Sequence, residues 1–511
     1  MKDLTASIPR ASERRVLVGL VLLAAILRFY RLGAQSLWVD EMLTLIVATP
    51  KPGFPLGQLL LHNIHGPLHT FVVAMMRLVS ENEAWLRLPS AVAGVLAVPV
   101  LYAWVKPRFG ARTAAWAATL LAVNPLHIHY SQELRNYAFA VVFVLASCVA
   151  LDRLIASWSS RRALEFAALV SASVLCNFSA CFVFFVQSVV FVRSSSARTR
   201  AWVRWAAITG VVLVLTAPWI YRVTTYVDFG KLATPVQPGA IGDEQRLRGD
   251  TTFRLESVPY ALYAYSVGFA LGPTLAQMHG DLRAAMWEHR VAIAWTALLF
   301  GTLAVAGLAR SHRRDAGGEG VWRAVELVLY VAVPLFATML LNWQNAKAFN
   351  VRYVLVALPM YLTLIAAGIE GLPRAWRYGA AVALLATCAV SLANYYTDPG
   401  RQKEDVRAAT RAVEARIQPR ECIFAPTIWQ IVAHYQTTNT PLHYIYREPA
   451  AAMERQLDDL FVSCPSFWYL RARPWVDDAD GRILSTLESR YRRAEAMELP
   501  GVTAIHFVSK N

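Results

Sequence analysis

A mainly α, polytopic membrane protein of about 11 transmembrane helices, with interfacial helices in its outer loops and a small extracytoplasmic α/β domain at its C-terminal end, is the fold class the sequence predicts. Three observations carry it. Of 511 residues, 56% are hydrophobic and only 17% charged, and the mean hydropathy is +0.37, too apolar for a soluble chain of this size. The net charge of +15 sits in short basic clusters between apolar runs, the pattern of cytoplasmic loops under the positive-inside rule. Past Asp398-Pro399-Gly400, short β-rich runs alternate with helical stretches. Membrane lipid headgroups are therefore the expected partner of the positive charge, and no nucleic acid is expected.

With the N-terminus in the cytoplasm, residues 15–32 form an uncleaved first span, since Arg28, Tyr30 and Arg31 follow the apolar run where a small-residue cleavage site would stand. Residues 67–79 fall short of the roughly 20 needed to cross. They are opened by His65-Gly66-Pro67 and closed by acidic residues, so they are expected to lie at the outer interface. Segments 88–105, 113–127, 137–151, 163–177, 179–192 and 205–221 then alternate across the bilayer. Residues 260–275, with Gly268, Gly272 and Pro273, are expected not to cross, which keeps Arg310, His312, Arg313 and Arg314 inside. Segments 291–308, 321–341, 351–369 and 378–394 leave the C-terminus outside.

Residues 1–396 are thus expected to form the transmembrane domain and 397–511 the α/β domain, with strands near 422–424, 443–446, 466–470 and 503–508 and helices near 405–417, 453–461 and 482–491. Cys422 and Cys464 can pair if this tail is extracytoplasmic. Cys148, Cys176, Cys181 and Cys388 lie in apolar runs as small hydrophobes. No internal repeat of a transporter kind is visible.

This topology gathers the unusual polar residues on the outer face: Asp40, Glu41, His65, Arg87, the run His129 to Tyr137 containing Glu133, Arg135 and Tyr137, and the run Asn345 to Tyr353 containing Lys347, Arg352 and Tyr353. Charged groups at outer helix ends are costly unless paired or hydrated, which makes them functional candidates. Each also has a structural reading: Arg135 and Arg352 as snorkelling anchors, Arg87 as a helix cap, Asp40 and Glu41 as a solvated loop. His62, His65 and His69 are spaced for zinc, but Pro67 interrupts the helix such a site needs. A carboxylate that takes a proton from an acceptor hydroxyl, beside guanidiniums that hold a departing phosphate, fits transfer of a sugar from a lipid phosphate. Hydrolysis would want two separated carboxylates.

The motifs Leu37-Trp38-Val39-Asp40-Glu41, His65-Gly66-Pro67-Leu68, Glu83 to Ser90, Asn124-Pro125 through Tyr137, and Val351-Arg352-Tyr353 to Pro359 resemble the membrane-embedded C-type (GT-C) glycosyltransferases, in particular the prokaryotic branch related to protein O-mannosyltransferases and lipid A aminoarabinose transferases. The resemblance implies a polyprenyl-phosphate-linked sugar donor, an inverting single displacement in the plasma membrane and an acidic base in the first outer loop. Asp40 matches that base, with Glu41 as its neighbour and substitute. Arg135 and Arg352 match cations near the lipid phosphate. Arg87, His65, Glu133, Tyr137, Lys347 and Tyr353 complete the expected donor-binding set. Gly66 stands where the family has the first proline of His-Pro-Pro, and Glu133 is the only carboxylate of its loop. No metal set assembles; a divalent cation stays open because metal use varies across the superfamily. The acceptor, whether glycan, lipid or protein, is not specified. A polyprenyl-linked glycolipid flippase and a non-catalytic envelope subunit are the alternatives, and the first would bury its charges at mid-membrane.

Overall fold

The computed structural model describes residues 11–49, 66–194, 198–226, 257–313, 318–343, 350–445, 450–478 and 480–510. His65, Lys347 and most of the stretch at 222–257 lie outside those residues. Among the described residues, seven helices are long and apolar enough to cross a membrane: Glu83–Phe109, Tyr137–Ala156, Thr199–Val223, Arg290–Ser311, Gly320–Leu340, Val351–Gly371 and Arg374–Thr397. The shorter apolar helices Ala111–Val123 and Ala180–Ser194, together with Ala11–Phe29 and Ser160–Cys176, stand where the remaining spans were expected. Pro67–Arg77 and Ser257–Val267 have 11 residues each. A helix of that length reaches about 16 Å, roughly half of the hydrocarbon core, so neither is long enough to cross by itself.

The helices differ in what surrounds them. Arg290–Arg313 leaves Val291, Leu298 and Val305 strongly exposed at seven-residue spacing, an apolar stripe that is favourable only against lipid. The span Val351–Gly371 is almost wholly buried by its neighbours. These two helices approach closely through glycine: a Cβ on Gly307 would collide with the Leu364 carbonyl, and one on Gly368 with the Leu303 carbonyl. Close backbone approach at small residues is how helices gain packing energy in lipid, where burial of apolar surface supplies no drive.

One expected crossing is divided. Helix Ala111–Val123 stops at Asn124, and a short helix, Pro125–Ser131, begins. Pro125 cannot donate to a continuing helix. The Asn124 side chain accepts from His127 N (2.9 Å) and donates to the Tyr265 carbonyl (2.8 Å). The carbonyls orphaned by the break, Leu121 and Ala122, accept from the buried Arg28 guanidinium at 3.0 and 2.9 Å.

The C-terminal part is a five-stranded sheet in the order β2-β1-β3-β5-β4, from β1 Cys422–Phe424, β2 Leu442–His443, β3 Ser466–Ala472, β4 Tyr491–Leu499 and β5 Val502–Ser509. β1 runs parallel to β2 and β3, whereas β5 is antiparallel to β3 and β4. Cys422 and Cys464 form a disulfide that joins β1 to the approach of β3. The sequence placed no strand at 491–499 and no helix at Trp429–Tyr435. β4 is an exposed edge rich in Arg and Glu, and among the described residues its only partner is β5, so its extended form depends on that pairing and not on its own composition.

The sheet is docked on the segment that follows the first helix. Leu37, Met42, Leu45 and Leu86 share one hydrophobic cluster with Val406, Ile428, Trp468 and Val502. Tyr435 Oη accepts from Leu37 N (2.8 Å) and donates to Glu83 (2.7 Å), and Ser36 Oγ donates to the Glu404 carbonyl (2.6 Å).

Gly368→Ala forces two helix backbones apart and is expected to cost about 1–3 kcal/mol, the usual penalty of overpacking. Thermal unfolding in detergent should show it, while Gly301→Ala, with nothing near its added methyl, should leave the transition unchanged.

Candidate active site

The site is built on the nine-residue helix Val39–Val47, which follows Trp38 in extended conformation. Successive residues of an α-helix project about 100° apart, so two adjacent carboxylates at its start cannot share one environment.

Glu41 turns inward and is fully buried. Arg87 Nε and Nη2 donate to its two oxygens at 2.8 and 2.7 Å, Leu134 N donates at 2.7 Å, and Lys403 Nζ lies 3.3 Å away. Arg87 spends its remaining donors on the carbonyls of Leu32, Gln35 and Ser36. All five of its N–H groups are thereby engaged, and none is left for a phosphate. Burial opposes ionisation of Glu41, but the Arg87 and Lys403 charges outweigh it and hold the carboxyl below its usual range.

Asp40 turns the other way and keeps one edge accessible, with its side chain 20% exposed. Its carboxylate pairs with Arg352, the second residue of a short 3₁₀ turn, Val351–Ala357, capped by Asn350. Arg135 Nη1 donates to the Asp40 carbonyl (3.0 Å) and to Thr44 Oγ1 (2.8 Å), and its Nη2 reaches Tyr137 Oη (3.4 Å). Burial again opposes ionisation, and Arg352 and then Arg135 overcome it, so Asp40 titrates below the usual carboxylate range.

Glu133 is buried between Lys403 Nζ (3.1 Å) and His129 Nε2 (3.2 Å). Burial is the largest influence on it and is outweighed by Lys403 and His129, which hold it well below its usual value. The guanidiniums of Arg352 and Arg473 and the ammonium of Lys403 all lie over the Trp38 ring, at 5.8, 5.2 and 5.6 Å. Among the described residues, three buried donors around Asp40 have no hydrogen-bond partner: Trp38 Nε1, Arg135 Nε and Arg352 Nε. Buried donors are rarely left unmade, and a set of them beside surplus positive charge suits an anion.

The fold thus brings together Asp40, Glu41, Arg87, Glu133, Arg135, Tyr137, Arg352 and Tyr353, with Arg352 over the rings of Trp38 and Tyr353. His65 and Lys347 lie outside the described residues. Lys403, Trp38 and Arg473 were not among the expected site residues. The available signal was Arg401, Lys403 and Arg407 just outside the last span, where the positive-inside pattern puts few cations. Among the described residues, the one group of side chains within metal-ligand reach of one another is Cys422, His443 and Cys464, and the disulfide already uses both thiols.

The fold is similar to that of solved archaeal oligosaccharyltransferases. The family described as dolichyl-phosphate-mannose-protein mannosyltransferase matches residues 64–221. The archaeal oligosaccharyltransferase AglB from Archaeoglobus fulgidus, in complex with an inhibitory peptide and a dolichol-phosphate, aligns at TM-score 0.53 and 12% identity over 97% of this chain and 74% of that one. The Archaeoglobus fulgidus oligosaccharyltransferase tethered to an acceptor peptide aligns at 0.51 and 11% over 98% and 74%. ArnT from Cupriavidus metallidurans aligns at 0.44 and 15% over 97% and 98%. No curated protein sequence matches the chain.

Glu41→Gln strips the buried Arg87 of its counter-charge and is expected to lower stability by about 3–5 kcal/mol. Unfolding in detergent should show this large loss, and Glu41→Met combined with Arg87→Met should lose less than the two single changes added together.

Proposed function

We propose that the chain is an integral membrane glycosyltransferase that moves one sugar from a polyprenyl-phosphate carrier to an acceptor hydroxyl on the extracytoplasmic face, with inversion. The observation that carries this reading is the set of unpartnered donors of Trp38, Arg135 and Arg352 around a partly accessible Asp40. The dolichol-phosphate in the AglB complex of similar fold supports a lipid-phosphate donor.

Asp40 removes the proton of the acceptor hydroxyl as that oxygen attacks the anomeric carbon. The bond from that carbon to the phosphate oxygen breaks, and the electron pair leaves with the lipid phosphate, whose growing charge falls on Arg352 and Arg135. In the donor-free protein Arg352 is spent on Asp40. A phosphate that engages Arg352 takes this partner away, so donor binding itself releases the base. Glu41 and Arg87 serve as the scaffold of the site and not as a substitute base and a phosphate ligand, because both are buried and saturated. Tyr137 and Tyr353 flank the two arginines and line the phosphate position.

The outer loops, the sheet and the C-terminus are assigned to the extracytoplasmic side and the N-terminus to the cytoplasm. The Cys422–Cys464 disulfide supports an oxidising compartment for the sheet.

Asp40→Asn is expected to abolish transfer from polyprenyl-phosphate sugars while leaving the unfolding transition nearly unchanged; a correctly inserted variant with full activity removes Asp40 as the base. The ion pairs depress the Asp40 pKa, so the reactive carboxylate persists as pH falls through neutrality. Activity should therefore hold down to about pH 5 and fall only near or below the ordinary Asp value of about 4, whereas an acid limb between pH 6 and 7 contradicts the assignment. In sealed vesicles, a membrane-impermeant maleimide should label Asn439→Cys from the periplasmic or outer side and Ser160→Cys only from the cytoplasmic side; both positions are exposed in the fold.

A further inference from the structure

We propose that Lys403 is a built-in cation of the carboxylate cluster, occupying the position between Glu41 and Glu133 that a divalent metal ion would otherwise take, so that no such ion binds there. The ammonium lies 3.3 Å from Glu41 Oε2 and 3.1 Å from Glu133 Oε1, bridging two carboxylates that are almost wholly buried. The carboxylates are fully offset by side-chain cations without any ion, with positive charge to spare. Glu41 and Glu133 face Arg87 and Lys403, and Asp40 faces Arg352 with Arg135 beside it. The donor set therefore does not fit a metal ion. Hard divalent cations need several oxygen ligands, whereas both oxygens of Glu41 already accept from Arg87 and Glu133 turns one oxygen to Lys403 and His129. Glu133 Oε2 is the one buried carboxylate oxygen of the cluster with neither a hydrogen bond nor an ion pair.

Lys403 acts as a positioning residue, since it touches the carboxylates and not the proposed base. Its own position is set by the C-terminal part of the chain. Its backbone N donates to Gln35 Oε1 (3.3 Å), the neighbouring Glu404 carbonyl accepts from Ser36, and the Glu404 carboxylate is gripped by Arg473 from the end of β3. Docking of the sheet thus delivers the cation that lets Glu133 and Glu41 stay ionised next to Asp40. This holds whether or not Asp40 takes the acceptor proton, so the test reads metal binding and stability and needs no sugar donor.

The full chain, purified in detergent without a polyhistidine tag, is titrated with MnCl2 by calorimetry and by thermal unfolding. The wild type should show no saturable Mn2+ binding and no shift. Lys403→Met should unfold at lower temperature and gain saturable Mn2+ binding that raises the transition, and adding Glu133→Gln should remove that binding. Lys403→Arg should behave as wild type. Should Lys403→Met fail to fold, the Lys403→Met, Glu133→Gln double variant should fold again, because the uncompensated charge is gone. One Mn2+ bound per wild-type chain and lost in Glu133→Gln overturns the proposal. So does a Lys403→Met protein as stable and as indifferent to Mn2+ as wild type, or a double variant that stays unfolded.

Discussion

The buried pair of Glu41 and Arg87 is the interaction on which the site end of the molecule depends. The chain leaving the first helix, from Leu32 to Ser36, forms no regular structure and presents the carbonyls of Leu32, Gln35 and Ser36 inward. Arg87 supplies their donors while meeting both oxygens of Glu41. A single planar guanidinium with five donors thereby fixes the loop and the helix that begins three residues later. A lysine in its place would satisfy neither the geometry nor the count.

That anchoring decides how the neighbouring carboxylate is presented. With Glu41 held inward, the helical twist directs Asp40 toward Arg352 and the accessible edge of the site. The two acids differ less in charge state, since paired cations keep both ionised, than in what is free to happen to them. Glu41 has no uncommitted oxygen and no route to solvent. Asp40 has one ion pair, on a side chain that keeps one edge accessible. Selectivity between two adjacent carboxylates is thus a matter of packing.

Much of the architecture was legible in the sequence because lipid imposes a simple rule: spans must be long and apolar, and the loops between them carry sided charge. Segment 67–79 was identifiable by its length and acidic end, and 260–275 by the basic cluster at 310–314 that a further crossing would have put on the wrong side. The break at Asn124 was less visible, since the apolar character continues through Pro125 to Ile128 and only the capping by Asn124 and Arg28 makes two helices of it. In the sheet, β1, β3 and β5 carry apolar and β-branched residues and were expected, whereas β4, an exposed charged edge, has a composition equally suited to helix and is extended only because β5 is beside it.

For the site, the sequence by itself determined the chemical inventory: a Trp-Val-Asp-Glu motif, arginines at 87, 135 and 352 and a carboxylate at 133, all expected at one end of the bundle. Helix-end position and residue type were sufficient for that. Only the tertiary structure decided who pairs with whom. It gave Arg87 to Glu41, Arg352 to Asp40, and Lys403, more than 250 residues away from Glu133, to the pair of buried acids. Hydropathy and spacing say which side of the membrane a charge occupies, but an ion pair forms between side chains that folding places within about 4 Å, and that distance is set by the packing of distant helices and a docked sheet.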